Sequence, residues 1–321
     1  MTSVEARAVG ALYGLAIGDA LGMPTQSLPR ARIVELHGEV IDGFRPAPDD
    51  QPLAAGMPAG AITDDTEQAL LLGRLVVEGN GVVDGHELAR RLLAWEDEMR
   101  ARGSLDLLGP STKRALDALL VGGNIAETGR FGTTNGAAMR ITPVGIAARG
   151  PELIDRVVAA SAPTHNTGLA LSAAAAVAAA VSAGVDGATI AEATTAAVAA
   201  ARDAANRGYW VAGADVSARI AWAVSLEPTT QNLYELVGTS LLAQESVPAA
   251  FAVANGFTDP WEAVRVAASV GGDTDTIAAI AGAVVGACHG VEAFPPDVRR
   301  TVAAVNRLEL EALAGELLEL R

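Results

Sequence analysis

The stretch GGDTDTIAAIAGAVVGA at residues 271–287 starts a helix with two carboxylates, bracketed by glycines and threonines. Asp273 can cap this helix, and Asp275 would lie in its first turn, where acidic side chains are favoured. Two glycines in front of the acids suggest that another group approaches the backbone closely. Taken alone, the pattern favours a helix cap over a binding site.

A second acidic stretch, AITDDTEQALLL at residues 61–72, has a similar arrangement. Asp64 can cap a helix, with Glu67 completing a capping box, but this accounts for neither Thr63 nor Asp65. If the two helix starts converge, four carboxylates come together and their repulsion requires cations. Carboxylate and hydroxyl oxygens suit a pair of Mg²⁺ or Mn²⁺ ions roughly 3.5–4 Å apart. Spacing alone does not establish convergence, so both interpretations remain open at this point.

Helical spacing of apolar residues recurs along the rest of the chain, and no run alternates as a strand would. This pattern predicts a single all-α domain over residues 1–321, with about a dozen helices. Gly14, Gly18 and Gly22 fall four apart and predict a groove for a crossing helix, because their spacing does not fit a phosphate-binding loop.

Composition narrows the possible partners and compartments. The 321 residues are 50% hydrophobic and only 4% aromatic, so Ala, Leu, Val and Ile must build the core. A formal net charge of −15 argues against nucleic-acid and anionic-membrane binding. The single cysteine, Cys288, excludes an internal disulfide and a Cys-based zinc site. Residues 169–185, rich in Ala and Ser, fit a packed interior helix better than a membrane span. The N-terminus lacks a signal-peptide pattern, so a cytoplasmic location is expected.

Two long loops, residues 42–62 and 122–140, are rich in Gly, Pro, Asp, Thr or Asn and are candidate site-forming segments. Backbone N–H groups near the end of the second loop can cradle a phosphate, with help from Arg140, or simply lead into a helix. His165 precedes another helix and is either structural or part of an anion site. The position of Asp106 in a Gly-rich loop does not by itself indicate a function.

Five motifs in order resemble the ADP-ribosylglycohydrolases, a family that includes ADP-ribosyl-acceptor hydrolases and dinitrogenase-reductase-activating glycohydrolases. They are GLAIGDALG (14–22), TDDT (63–66), NGAAMRITPVG (135–145), HNTG (165–168) and GGDTDTIAAIAGAVVGA (271–287). The resemblance spans nearly the whole chain, and the ordered set is far more specific than any one motif. It implies a compact, orthogonal multi-helix fold that holds two Mg²⁺ or Mn²⁺ ions.

The resemblance also assigns roles to residues. The implied metal ligands are Thr63, Asp64, Asp65, Asp273, Asp275 and Thr276. The implied wall around ADP-ribose consists of Asn135, Gly136, Met139, His165 and Gly272, and Asp106 is implied to orient the scissile group. The implied reaction is hydrolysis at C1 of an ADP-ribosyl group on a protein or small molecule, with Asp64, Asp65 and Asp275 as catalytic carboxylates.

One departure from the family pattern leaves the substrate open. Family members often carry a catalytic Glu shortly after the GDALG segment, whereas this sequence has Gln26 at about that place. Glutamine cannot accept a proton as a base. Either the alignment shifts at this segment, or a metal-bound carboxylate such as Asp64 or Asp65 takes that role, or the substrate class differs. Alternatives are a hydrolase of smaller N-glycosides with the same centre and a non-catalytic ADP-ribose binder.

Overall fold

The computed structural model describes residues 2–105 and 107–321, and helices dominate this part of the chain. Extended pairing within it is limited to three isolated bridges, and the described residues form no sheet. The bridges join Leu28 with Gly272, Thr134 with Leu242, and Thr167 with Tyr209. The predicted all-α fold is confirmed.

The helices of the described residues are, in chain order, α1 (Val4–Gly22), α2 (Arg30–His37), α3 (Asp64–Glu78), α4 (Gly85–Ala101), α5 (Pro110–Leu120), α6 (Ile125–Thr128), α7 (Gly136–Arg140), α8 (Thr142–Ala147), α9 (Glu152–Ser161), α10 (Gly168–Val185), α11 (Ile190–Ala204), α12 (Val216–Val224), α13 (Thr230–Asn232), α14 (Ala243–Gly256), α15 (Pro260–Ala267), α16 (Thr274–His289), α17 (Pro296–Asn306) and α18 (Leu310–Leu318). A π-helix, Leu233–Val237, follows α13, and a short 3-10 helix, Val291–Ala293, follows α16. They outnumber the predicted dozen because several, such as α6, α7 and α13, have five residues or fewer.

Side-chain caps define many of the helix starts. Thr189 and Glu192 form a complete capping box at the start of α11. At α15, Asp259 accepts a hydrogen bond from the backbone N–H of Trp261, and Pro260 is the first helical residue, as the sequence predicts. These local signals define the residues at which the helices begin, independently of long-range packing.

The contact between α1 and α16 lies at the centre of the fold. The two helices run antiparallel, and a Cβ added at Gly14 would lie 1.9 Å from the carbonyl oxygen of Gly282. Farther along, a Cβ at Gly22 would lie 2.4 Å from the backbone nitrogen of Asp275. Only glycine allows two backbones to approach this closely. The predicted groove at Gly14, Gly18 and Gly22 is therefore confirmed, and it sets the position of Asp275.

The alanine-rich helix α10 packs inside the fold against α8, α11 and α16. Among the described residues it is the one helix long and apolar enough to cross a membrane, and 83% of it is buried against other parts of the protein. The core is built mainly from Ala, Val, Leu and Ile, as the composition predicts. Cys288, at the end of α16, is one of its buried members.

Candidate functional site

The first acidic stretch forms the start of α3. Thr63 is the N-cap, and its hydroxyl accepts a hydrogen bond from the backbone N–H of Asp65 over 3.4 Å. The predicted cap at Asp64 with Glu67 as its capping-box partner is wrong. Asp64 is already helical, and Glu67 accepts a hydrogen bond from the indole N–H of Trp95 instead. Capping therefore does not explain the two aspartates.

The second acidic stretch forms the start of α16, which the chain enters through two glycines. Gly271 and Gly272 have φ angles of 92° and 76°. A Cβ on Gly272 would also lie 2.3 Å from the carbonyl oxygen of Thr239, so this entry requires glycine. Asp273 occupies the predicted cap position, but its side chain makes no capping hydrogen bond. It accepts a hydrogen bond from the amide of Asn135 over 2.5 Å.

The two acidic helix starts meet. The hydroxyl of Thr276 in α16 donates a hydrogen bond over 3.1 Å to Oδ2 of Asp65 in α3. Asp65 and Asp275 are only 1% and 3% exposed. Burial raises the pKa of Asp65 well above its ordinary value, and four neighbouring carboxylates raise it further. In decreasing order of effect, these belong to Asp275, Asp64, Asp19 and Asp273.

Asp19 is a residue of this cluster that the sequence analysis missed. It lies on α1, is fully buried, and accepts hydrogen bonds from the backbone N–H and hydroxyl groups of Thr63 and Thr66. Burial raises the pKa of Asp19 to about 6, and these hydrogen bonds oppose the rise. The available signal was a charged residue inside the apolar stretch 14–22, because a buried acid requires hydrogen-bond partners.

A buried arginine stands behind Asp64. The amide of Gln68 donates to Oδ2 of Asp64 over 2.8 Å, and Arg140 donates to Oε1 of Gln68 over 3.4 Å and to the hydroxyl of Thr164 over 2.6 Å. Burial lowers the pKa of Arg140 to about 10, and the charge of Asp64 opposes this. Arg140 has no exposed surface, so the interpretation that it helps to bind a phosphate is wrong. It supplies positive charge beneath the acidic cluster.

His165 is held behind the site. Its ring is fully buried, and its two nitrogens lie 2.9 Å from the hydroxyl of Thr134 and 2.8 Å from that of Thr164. Burial lowers the pKa of His165 well below its ordinary value, so the ring is neutral. A Cβ on Gly136 would lie 3.0 Å from the ring. His165 therefore supports the segment around Gly136 and presents no surface to a ligand here.

The remaining residues of the expected ADP-ribose wall differ in their placement. The amide of Asn135 donates to Ser246 as well as to Asp273, so it ties the loop of residues 122–140 to α16. Met139 is buried, with 6% of its surface exposed. Asp106 lies outside the described residues.

Gln26 lies at the edge of the site. The N–H of the next residue, Ser27, donates to the carbonyl oxygen of Gly272 over 2.7 Å. The side chain of Gln51, from the loop of residues 42–62, donates to the backbone carbonyl of Gln26 over 2.8 Å. Gln26 is 3% exposed, and its Nε2 is buried without a hydrogen-bond partner. An amide at this position supplies no general base.

A cavity of about 470 Å³ opens beside the start of α3. Its walls include Asp64, Glu67, Trp95 and Arg102, and Met57 from the loop of residues 42–62. A volume of this size is typical of small-molecule sites. The loop thus reaches the site, as its composition suggested, and Trp95 is an aromatic wall that the sequence analysis did not identify.

The donor set fits a hard divalent cation. The candidate ligands present carboxylate and hydroxyl oxygens, and Oδ1 of Asp65 is buried without a hydrogen-bond partner. Within residues 2–105 and 107–321, no group of three or more His, Cys, Asp or Glu side chains is arranged to hold a metal ion as the side chains stand.

Comparison with known proteins extends over the whole chain. The model of a family described as ADP-ribosylglycohydrolase matches residues 1–321. The uncharacterized protein YegU of Escherichia coli (strain K12) is 37% identical, over 98% of this chain and 97% of its own. The ADP-ribosylarginine hydrolase Tri1 of Pseudomonas putida (strain GB-1) is 29% identical, over 98% of this chain and 78% of its own. A solved structure of an ADP-ribosylglycohydrolase-related protein complex superimposes with a TM-score of 0.75 at 27% identity, covering 100% of this chain and 99% of that one.

Proposed function

The chain belongs to the ADP-ribosylglycohydrolase family, and we propose that it hydrolyses the bond at C1 of an ADP-ribosyl group on a protein or small-molecule acceptor. The observation that carries this proposal is the meeting of the two acidic helix starts, where Thr276 donates to Asp65. Two independent helix caps would not need to meet. A buried cluster of carboxylates is destabilising by itself and is useful where positive charge must be bound.

We propose two Mg²⁺ or Mn²⁺ ions as cofactors. The residues that would hold them are Thr63, Asp64, Asp65, Asp273, Asp275 and Thr276. When bound, such ions supply the positive charge that activates water and orients ribose hydroxyls. The oxygen-only donor set and the buried, unpartnered Oδ1 of Asp65 support this assignment.

The chain's own residues would supply orientation and proton transfer. Gln68 fixes one oxygen of Asp64, and Asn135 fixes Asp273, so each helix start has one carboxylate held by an amide. The transition state of glycoside hydrolysis gains positive charge on the sugar, which nearby carboxylates stabilise. Since Gln26 cannot take a proton, this role falls to a carboxylate of the cluster, and we propose Asp64, Asp65 and Asp275 as the catalytic groups. We also propose that Asn135, Gly136, Met139 and Gly272 line the site of the ADP-ribosyl group, with His165 supporting Gly136 from behind.

A named relative indicates which acceptor to test first, because the cavity beside Asp64 has a lining of mixed charge. Arg102 lines the cavity beside Asp64 together with Glu67, Met57 and Trp95. Glu67 already accepts the indole N–H of Trp95 and lies 3.7 Å from the guanidinium of Arg102. Tri1, by its name, hydrolyses ADP-ribosylarginine. We therefore propose arginine-linked ADP-ribose as the first substrate.

The test compares substrates and metal conditions side by side. The protein is incubated with ADP-ribosyl-arginine, an ADP-ribosyl-serine peptide or simple nucleosides, with Mn²⁺ or with excess EDTA, and the products are separated chromatographically. We expect ADP-ribose release from an ADP-ribosyl substrate and its loss in EDTA. Turnover of nucleosides alone would favour the N-glycoside alternative. Tight ADP-ribose binding without turnover would identify a non-catalytic relative.

A further inference from the structure

Asp19 has no part in the proposed hydrolysis, yet it holds the start of α3. It is fully buried on α1. Thr63 donates its backbone N–H over 3.0 Å and its hydroxyl over 2.7 Å to this carboxylate, and Thr66 donates the same two groups over 3.1 and 2.5 Å. We propose that Asp19 is a positioning residue that prepares Thr63 to bind a cation. This inference rests on the metal centre of the proposed function.

The direction of the Thr63 hydrogen bond supports the inference. A hydroxyl has one proton and two lone pairs, and a cation ligand must present a lone pair. The proton of Thr63 is committed to Asp19, because a carboxylate can only accept. The oxygen otherwise accepts one long hydrogen bond, 3.4 Å, from the N–H of Asp65. Asp19 thus keeps the proton of Thr63 away from the cation.

A purely structural role explains Asp19 less well. Neutral caps are sufficient for other helices of this protein, such as Thr167 at the start of α10. A buried anion is costly without a cation nearby, and none of the ion pairs between described residues includes Asp19. Its negative charge acts on Asp65, within the proposed ligand cluster. Beside a cation site, the same charge would strengthen binding.

The position of Asp19 along α1 connects both helix starts. Three residues farther on, Gly22 lies against the backbone of Asp275 in α16. Asp19 itself holds Thr63 and Thr66 at the start of α3. The single helix α1 therefore positions ligands from both acidic stretches. The carboxylate of Asp19 connects this helix to α3.

The first experiment measures Mn²⁺ affinity by calorimetric titration of the Asp19→Asn variant of the 321-residue chain. We expect about tenfold weaker Mn²⁺ binding with helix content retained, because outer-shell partners of metal ligands have effects of this size. The control is Ser182→Ala, which removes a buried hydrogen bond to the carbonyl of Ala148, the residue that follows α8. This control should lower the Tm and leave Mn²⁺ affinity unchanged. It thereby separates the effect of a loss of stability from the effect of losing the positioning of Thr63.

A double-mutant cycle tests whether Asp19 acts through Thr63. If it does, Asp19→Asn combined with Thr63→Ala weakens Mn²⁺ binding no more than the stronger single change. Fully additive losses would overturn the proposal. Asp19→Glu, which keeps the charge but displaces the carboxylate from Thr63, is the second variant if Asp19→Asn does not fold, and it should also bind Mn²⁺ about tenfold more weakly. Failure of both to fold would assign Asp19 to stability and overturn the proposal.

The wild-type titration separates this inference from the proposed function. If wild type binds Mn²⁺ and folded Asp19→Asn binds it within twofold, the positioning role fails while the metal centre stands. If wild type binds no Mn²⁺, the proposed metal centre fails, and the positioning role fails with it.

Discussion

The carboxylates of the site are oriented by residues that stand behind them. Gln68 holds Asp64, and Arg140 in turn holds Gln68. Asn135 holds Asp273 in the same way. Such contacts fix a side chain to one rotamer, which is what a ligand or catalytic group requires.

Asp275→Ala tests the ligand set at the residue scale. The substitution removes one carboxylate from the proposed cation site and leaves the glycine-mediated backbone contact of Gly22 with α16 in place. We expect Mg²⁺ binding and turnover to be lost while the helical circular dichroism signal remains. Calorimetric titration with Mg²⁺ provides the measurement. Unchanged binding in this variant would remove Asp275 from the ligand set.

Arg140→Met tests whether Arg140 is structural. The substitution leaves Gln68 and Thr164 without their buried donor and removes a positive charge from beneath the acidic cluster. We expect the free energy of unfolding to fall by about 3 kcal/mol in urea denaturation. Arg130→Met is the matched control, because Arg130 is exposed, and it should change stability by less than about 0.5 kcal/mol. Equal effects would show that the buried network contributes little.

Sequence could identify the acids at residue scale but not their supporting partners. Thr63, Asp64, Asp65, Asp273 and Asp275 stand out because two short motifs concentrate charge at helix starts. The partners of Asp19 and Arg140 are 44 or more residues and 24 or more residues away, respectively. Contacts over such separations depend on the packed fold, and no local pattern encodes them.

At the scale of helices, α1 and α16 determine the geometry of the site. Their glycines allow backbone contact, which brings Asp19 on α1 and Asp275 on α16 into the same acidic cluster around Asp65. The π-helix Leu233–Val237 and the following turn lead to Thr239, whose carbonyl accepts the N–H of Asp273 over 2.7 Å. The acidic start of α16 is thus held by α1 on one side and by the turn at Thr239 on the other.

A pair of glycine substitutions tests the α1–α16 contact. Gly14→Ala places a Cβ 1.9 Å from the carbonyl oxygen of Gly282, so the helices must separate. We expect a loss of about 3 kcal/mol or more in unfolding free energy. Gly315→Ala, in α18, meets no atom within 4 Å and should raise stability by roughly 0.5–1 kcal/mol through helix propensity. Urea denaturation measures both, and similar effects would contradict the packing.

Long periodic helices such as α10 and α11 were predictable, and short ones were not. The helices α7 and α8 have five and six residues, too few for a periodic pattern to emerge. The longer helix α14 contains Pro248, which ordinarily argues against a helix interior. Tertiary packing stabilises these segments, so local sequence understates their helicity.

For the whole molecule, folding assembles an acidic cluster that divalent ions should stabilise. Since the proposed ligands come from both ends of the chain, only the folded state presents them together. We expect the Tm to rise by about 5 °C at a Mn²⁺ concentration a hundredfold above its Kd. Differential scanning fluorimetry measures the shift, and Asp275→Ala is the control that should show none. An equal shift in that variant would point to binding elsewhere.

The convergence of residues 64 and 275 is the feature of the whole molecule that the sequence pattern alone could not predict. Motif order indicated the family, and the family implied the convergence. The physical cause is the antiparallel packing of α1 with α16, which brings a helix start near residue 274 beside one near residue 64. That packing involves helices some 250 residues apart in sequence, beyond any local pattern.

The most direct test of the central claim is anomalous diffraction from crystals of the protein soaked with Mn²⁺. We predict two manganese peaks between the starts of α3 and α16, each within bonding distance of carboxylate oxygens from Asp64, Asp65, Asp273 or Asp275. Saturating Mn²⁺ with no peak between these helix starts would contradict the account.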